Sequence, residues 1–302
     1  MKKNQKMSVM MRQEQRAGYL FLAPSLIGTT IFIIIPILMS LLLGFSEWNP
    51  MKGFSAIKFA GMDNYIELFK DARVKASVQN NLVYTLTYVP CTIVLALLMA
   101  ALLNRFVYMR TALRTMVFLP YVTSLVSVAT IWMVLLYPGA NGPINSILTN
   151  VFHVTNPPGW FTSSKWALKG IIMMGIWHDF GYHVVILLAN ITALPKDVYE
   201  AASIDGASST KTFFHVTIPM LAPAIFFCAT LATINAFKIF DQVNIITEGG
   251  PGFSTTVLVQ TVYHYAFKEF RFSYASAVAM LLFLIIFIFS NVLQRIENKV
   301  TG

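Results

Sequence analysis

Six stretches of this chain are each apolar over about 20 residues, the length needed to cross the hydrocarbon core of a bilayer. They cover residues 19–45, 82–103, 116–137, 167–189, 221–240 and 274–293. Only helices and closed barrels can span lipid, because every backbone N–H and C=O must find its partner inside the protein. No stretch alternates with period two, so a barrel is not expected. The spacing predicts an all-α integral membrane protein with six transmembrane helices. Composition agrees: 56% of the 302 residues are hydrophobic and 12% are charged, against roughly 25% charged in a soluble domain. The spans run nearly end to end. Residues 1–16 read as a cytoplasmic N-terminal tail and 17–302 as one transmembrane domain.

The basic residues give an orientation. Lys2, Lys3 and Lys6 precede the first span, but that span is too long for a signal-peptide core and no small-residue cleavage site follows it. With both termini placed in the cytoplasm, the inner segments hold Lys2, Lys3, Lys6, Arg12 and Arg16, then Arg105, Arg110 and Arg114, then Lys196 and Lys211, then Arg295 and Lys299. The loop after the second span has three arginines and no acid, the strongest orientation signal in the chain. Against it, the outer segment 46–79 carries Lys52, Lys58, Lys70, Arg73 and Lys75. Residues 63–76 within that segment have helical spacing, suited to a helix on the membrane surface or to a lead-in to the second span. The net charge of +9 is scattered between spans, a pattern of topology and not of nucleic-acid binding. Cys91 and Cys228 sit in apolar runs and read as small buried hydrophobes rather than a disulfide framework.

The segment between the fourth and fifth spans is the longest inner loop and the least apolar. Pro195 suits a first helical turn, and 196–204 is rich in helix formers. Gly206 can take the left-handed conformation that ends a helix. Ser208 or Ser209 can cap a second short helix, and Pro219 is expected to break the pattern before the fifth span. Ala201 and Ala202, beside Glu200 and Tyr199, allow another backbone to approach closely.

That segment closely resembles the EAA motif of ABC importer permeases: Glu-Ala-Ala, three residues, Gly, nine residues, Ile, one residue, Leu-Pro. Here the motif reads Glu200, Ala201, Ala202 and Gly206, with Val216 at the Ile position, Ile218 at the Leu position, then Pro219. Asp205 before Gly206 is similar to the sugar branch of the family. So are DNY at 63–65, LNR at 103–105, FLP at 118–120 and GGPGFST at 249–255. The resemblance covers nearly the whole chain in order. It implies a type I importer permease in a bacterial plasma membrane, forming the path for a sugar or oligosaccharide. The implied coupling loop is 194–219, with Glu200, Ala201, Ala202, Asp205, Gly206 and Pro219 as the residues that engage the ATPase. Implied partners are a second permease, a relative rather than a copy; two ATPase subunits that bind ATP and Mg; and an extracytoplasmic binding protein. No cofactor is expected in this chain itself, which lacks a phosphate-cradling G-x-x-x-x-G-K-[ST] loop and has no Gly-Lys dipeptide. It is therefore expected not to be an enzyme.

Ionisable residues inside a span are costly and usually face a cavity. Trp177, His178, Asp179 and Tyr182 cluster in the fourth span. The aromatic rings can stack on sugar faces, and the polar groups can hydrogen-bond hydroxyls. By spacing from the EAA motif, the resemblance places this stretch where maltose-type permeases line their sugar site. Asn235 and Lys238, with Asp241 and Gln242, form a second candidate set in the fifth span. A packing role for the His-Asp pair, and a membrane-edge role for Lys238 and Asp241, compete with these readings. No metal site is expected: His178 and His183 are five apart, poor spacing for one helix face. The alternative function is a secondary transporter driven by an ion gradient, with His178 and Asp179 as a proton relay. No inverted repeat supports it.

Overall fold

Each apolar stretch folds as helix, the one open-ended structure that satisfies its own backbone in lipid. The computed structural model describes residues 9–105 and 110–301. Helix α1 (Val9–Thr29) continues through one π turn, Thr30–Ile34, into α2 (Ile35–Gly44). The expected tail is thus helical from residue 9; Lys2, Lys3 and Lys6 lie outside the described residues. In the π turn the Ile35 N–H reaches back to the Thr30 carbonyl. Pro36, the next residue, has no N–H to offer and its ring crowds the preceding turn. A widened turn takes up both problems without ending the helix.

A two-stranded antiparallel ribbon follows, β1 (Ser46–Glu47) on β2 (Lys58–Phe59), and then α3 (Asp63–Leu68). Asn64 ties this region to the end of the first span, its Nδ2 donating to the carbonyls of Gly44 at 3.0 Å and Ser46 at 2.9 Å. The helical spacing at 63–76 belongs to two elements: α3, which packs on the last helix through Tyr65 and Leu68, and the start of α4 (Ala72–Arg105).

The third span departs from expectation. Residues 116–137 are not one rod but α5 (Arg110–Val122) and α6 (Leu125–Leu135), bent by 93°. Pro120 removes a hydrogen bond from the last turn of α5. Ser124 is extended at ψ 125°, and its carbonyl accepts from Val128 to start α6. A short α7 (Pro143–Asn150) precedes α8 (Ala167–Ala193). The inner loop then gives α9 (Lys196–Ile204), α10 (Ser209–Thr212), a π turn at Phe213–Thr217 and α11 (Ile218–Met220). As expected, the helix is interrupted between Pro219 and the fifth span, at the turn residue Leu221. As at Pro36, the π turn lies immediately upstream, with the Ile218 N–H on the Phe213 carbonyl. The fifth span is α12 (Ala222–Phe237), interrupted at Lys238–Phe240 and resumed as α13 (Asp241–Ile246). Asp241 and Gln242 therefore stand on a separate short helix. After α14 (Leu258–Tyr263), α15 (Phe272–Thr301) closes the chain.

Helices α4 and α8 form the central pair, with α12 against both. Their contact is built on small residues: Ala96 and Ala100 are fully buried on α4, and Gly175 on α8 lies against the Tyr84 hydroxyl. Gly181 packs on the backbone of α5, where a Cβ would run into the Val117 carbonyl. Apolar surface gives no net drive to associate in lipid, so such close approach supplies the dispersion contact that does. Cys228 is buried in this core, whereas Cys91 is exposed on α4, contrary to the expectation for it.

Asp71 anchors the other end of the bundle. Its Oδ1 accepts from the backbone N–H of Arg73 and Val74, capping α4. Its Oδ2 accepts from the hydroxyls of Tyr265 at 2.6 Å and Tyr274 at 2.8 Å. Burial alone would raise this carboxyl, but the four hydrogen bonds outweigh it and hold Asp71 below its ordinary value of 3.8. A depressed carboxylate stabilises the fold above its unfolded pKa, and that contribution is lost as pH falls through the folded value. Asp71→Asn is therefore expected to lower the thermal midpoint at neutral pH and to flatten the acid-side loss of stability. Thermal unfolding of detergent-purified protein from neutral pH to about pH 3 reads both effects. An unchanged midpoint and slope would show that Asp71 does not hold α4, the π turn His264–Lys268 and α15 together.

Candidate functional site

Midway along α8 the helix periodicity places His178 and Tyr182 one turn apart, and Asp179 and His183 likewise. Neighbouring helices complete the group. Tyr88 on α4 donates to Asp179 Oδ2 at 2.6 Å, and His178 Nδ1 meets Asp179 Oδ1 at 2.5 Å. Tyr121 on α5 stacks on Tyr182, with ring centroids 4.7 Å apart and planes at 22°, and its ring lies 5.9 Å from His178. Tyr84 stacks on Tyr88 at 5.1 Å. Trp177, which is exposed, lies 6.0 Å from Trp132 on α6. Helices α4 and α8 thus meet at one acidic side chain, and α5 and α6 pack on the aromatic residues of α8 beside it. The carboxylate has two partners from within the chain, and its side chain keeps 21% of its surface.

This arrangement can hold a hydroxylated ligand in a defined way. An ionised carboxylate accepts at both oxygens, and Tyr88 and His178 fix where those oxygens sit. Donating Nδ1–H to Asp179 would leave His178 Nε2 as an acceptor or a second donor; that nitrogen is buried and has no partner among the described residues. Nδ1 of His183 is in the same condition. Tyr88, Tyr121 and Trp132 carried no individual signal in the sequence: they are ordinary aromatics of apolar spans until folding sets them beside α8.

The second candidate set is placed differently. Asn235 and Lys238 are exposed at the end of α12, and the Lys238 N–H closes that helix on the carbonyls of Ile234 and Asn235. A cation is well placed there against the helix dipole. Among the described residues, no hydrogen bond, ion pair or ring contact joins either side chain to the Asp179 group. No group of three or more His, Cys, Asp or Glu side chains is placed to hold a metal among the described residues.

The inner loop forms a separate site. Pro195 is the N-cap of α9, and Asp197 lies in its first turn, where a negative charge is favourable. Gly206 ends the helix at φ +72°, with its N–H on Ser203 and the Ala207 N–H on Ala202. Ser208 caps α10 through Lys211 N–H. Glu200, Ala201, Asp205, Gly206 and Pro219 are exposed, and so is the apolar Ile204, at 86%. The two arms of the loop are joined by a Tyr199–Thr217 hydroxyl contact of 3.2 Å, from α9 to the π turn. Beside that contact is a cavity of about 540 Å³, walled by Leu98 and Leu102 of α4, Ile191 of α8, and Ser203 and Phe213 of the loop.

Comparison with known proteins gives a consistent answer. A family profile described as a binding-protein-dependent transport system inner membrane component matches residues 92–302. The lactose transport system permease protein LacF of Rhizobium radiobacter is 35% identical, over 90% of this chain and 91% of its own length. The multiple sugar-binding transport system permease protein MsmF of Streptococcus mutans is 31% identical, over 93% of this chain and 95% of its own. A chain of a bacterial alginate ABC transporter, solved in complex with alginate pentasaccharide-bound periplasmic protein, superposes with a TM-score of 0.80. That match covers 96% of each chain at 21% identity, a likeness of fold.

The Asp179 group also makes a prediction of its own. Leaving a buried donor unsatisfied costs about 1–3 kcal/mol. Asp179→Leu strands both Tyr88 and His178 and is expected to lower thermal stability clearly. Asp179→Asn keeps an acceptor and should cost less, and Tyr88→Phe less again. Thermal unfolding of the three variants ranks them; a Leu variant as stable as the wild type would show that the group does not bind α4 to α8.

Proposed function

The chain belongs to the family of binding-protein-dependent transport system inner membrane components, and from that membership we propose the ligand, the partners and the coupling contacts of this member. It is a multi-pass membrane subunit with the type I permease fold, and it has no ATPase site of its own. The ion-gradient alternative has no support left, because transport in this family depends on a binding protein.

The ligand is a sugar or oligosaccharide, delivered from outside by that binding protein. The observation that carries this reading is the Tyr88–Asp179–His178 group with its stacked Tyr121 and Tyr182: positioned acceptors beside aromatic faces, at mid-span. The names of the relatives, which speak of lactose and of multiple sugars, favour it too. Trp177, His178, Asp179 and Tyr182 contact the ligand, and Asn235 and Lys238 extend the path. A second, non-identical permease pairs with this one. In support, the first span, Ala17–Gly44, has none of its apolar window buried in the chain's own bundle. ATP and Mg are bound by two partner ATPases, and α9 enters a cleft in one of them through Glu200, Ala201, Ala202, Asp205 and Gly206, with Pro219 setting the exit of the loop. The near-complete exposure of Ile204 favours such a contact. Both termini and α9 are cytoplasmic.

Two experiments test this. A β-branched residue in the left-handed region costs about 1–2 kcal/mol, so Gly206→Val should displace the turn and lower transport per ATP hydrolysed by about tenfold. The complex should still co-purify intact; normal coupling in that variant would count heavily against the docking role. For orientation, single cysteines at Ser208 and Ser254, with Cys91 and Cys228 replaced, can be labelled in sealed cells by a membrane-impermeant thiol reagent. Ser254 is expected to react and Ser208 not, and the reverse result would invert the topology.

A further inference from the structure

At the end of α4 opposite the coupling loop, a second cavity of about 220 Å³ opens among polar side chains. Arg73 enters it from the first turn of α4. Asn244 and Glu248 come from α13 and the turn after it, and Gln260, Tyr263 and Lys268 from α14 and its π turn. None of these residues belongs to the Asp179 group or to the inner loop. We propose that this cleft is an outer saccharide subsite, which takes one sugar ring before the ligand reaches mid-span. The inference rests on the sugar-importer reading above.

The chemistry of the walls selects the ligand class. Arg73 and Lys268 bring positive charge and Glu248 negative charge to one small rim, so neither an anion nor a cation is complemented throughout. Sugar hydroxyls both donate and accept, and can answer each of the three. Gln260 lies at the wall and is only 5% exposed, and its Oε1 has no partner among the described residues. Tyr263 is 37% exposed and adds an aromatic face. The volume lies below the roughly 300–1,000 Å³ of drug-sized pockets, which suits one ring and not a chain.

The walls are also held in place. Arg73 lies over the Phe253 ring, 5.0 Å from its centroid, and Tyr263 sits between Phe240 and Phe267 at 5.4 Å from each. His264 is turned to Glu269, with 2.9 Å between Nε2 and Oε1. The Gln260 amide packs on Gly249, at φ +88°, where a Cβ would lie 2.6 Å from its Oε1. Asn80 fixes the same loop through the carbonyls of Phe253 and Thr256. A site fixed this way loses little side-chain freedom on binding.

The test uses the whole complex, with its partner permease, ATPases and binding protein, in lipid nanodiscs. Diazirine derivatives of glucose, galactose, lactose, maltose and raffinose are photolysed, and labelled peptides are mapped. The expected result is label within residues 244–268 that free parent sugar competes away. Lys268→Ala and Tyr263→Ala, both at exposed positions, should each lower that label roughly tenfold, the scale of one lost contact. The inference is overturned if no sugar labels the segment above a sugar-free diazirine, or if both variants assemble and label like the wild type. It is also overturned if an acidic residue of the binding protein cross-links to Lys268 whether or not sugar is present, since a protein contact then fills the cleft. ATP- and binding-protein-dependent uptake of the parent sugars into proteoliposomes separates the two readings. Uptake with an unlabelled cleft sinks the subsite alone, whereas no uptake of any of the sugars sinks the sugar-importer reading itself.

Discussion

The fold turns on how closely α8 can approach its neighbours. In lipid, apolar side chains gain nothing by leaving their surroundings for each other, so helices are held by tight packing and by hydrogen bonds between them. Gly175 lets the Tyr84 hydroxyl reach the surface of α8, and Gly181 brings the backbone of α8 onto α5. Once these distances are set, Tyr88 of α4 falls within 2.6 Å of Asp179 and Tyr121 of α5 stacks on Tyr182. The polar group at mid-span is therefore a consequence of the glycines. A bulkier α8 would separate the carboxylate from its donors.

The end of the bundle away from α9 combines an apolar cluster around Leu68, Leu258 and Tyr274 with hydrogen bonds that join distant parts of the chain. Asn81 accepts the Leu258 N–H at 2.8 Å, and Ser77 and Thr261 share a buried hydroxyl contact of 2.6 Å. Asp71 joins α4 to Tyr265 and Tyr274. These links cross 177, 184 and about 200 residues of sequence. They turn the loop around the GGPGFST run, whose physical role could not be read from its residue types, into a rigid wall. Buried polar groups are favourable only when satisfied, and here most are.

How much of this was legible in the sequence follows from what each signal measures. Apolar length measures transfer into lipid, so the first, second, fourth and sixth spans were readable, but the helices run on past the apolar stretches by up to about ten residues, as α4 does by starting at Ala72. Local turn chemistry measures backbone conformation, so Pro195, Gly206 and Ser208 marked the inner loop correctly. Neither quantity registers a bend inside an apolar run. Thr123 and Ser124 interrupt the third span while Val122, Leu125 and Val126 keep it apolar, and Ile239 and Phe240 hide the break before α13 in the same way. The partners of Asp179 were illegible for a different reason. Tyr88 lies 91 residues away, and no local periodicity encodes a contact across two helices.

Helix α8 also connects the two ends of the functional argument. It runs unbroken from Ala167 to Ala193, 27 residues, or roughly 40 Å at about 1.5 Å per residue. Asp179 lies near its middle, and the chain passes from its end through Leu194 and Pro195 directly into α9. A displacement of α9 therefore acts on a continuous lever whose other neighbours are fixed by Gly175 and Gly181. On the far side of the loop the connection is softer. The π turn at Phe213–Thr217 widens the helix on the α12 side of the loop, and the cavity beside Tyr199 separates the loop from α4 and the end of α8. A stiff arm on one side and a yielding one on the other would convert movement at α9 into relative motion of α8 and α12, the two helices that carry both candidate sets of ligand residues.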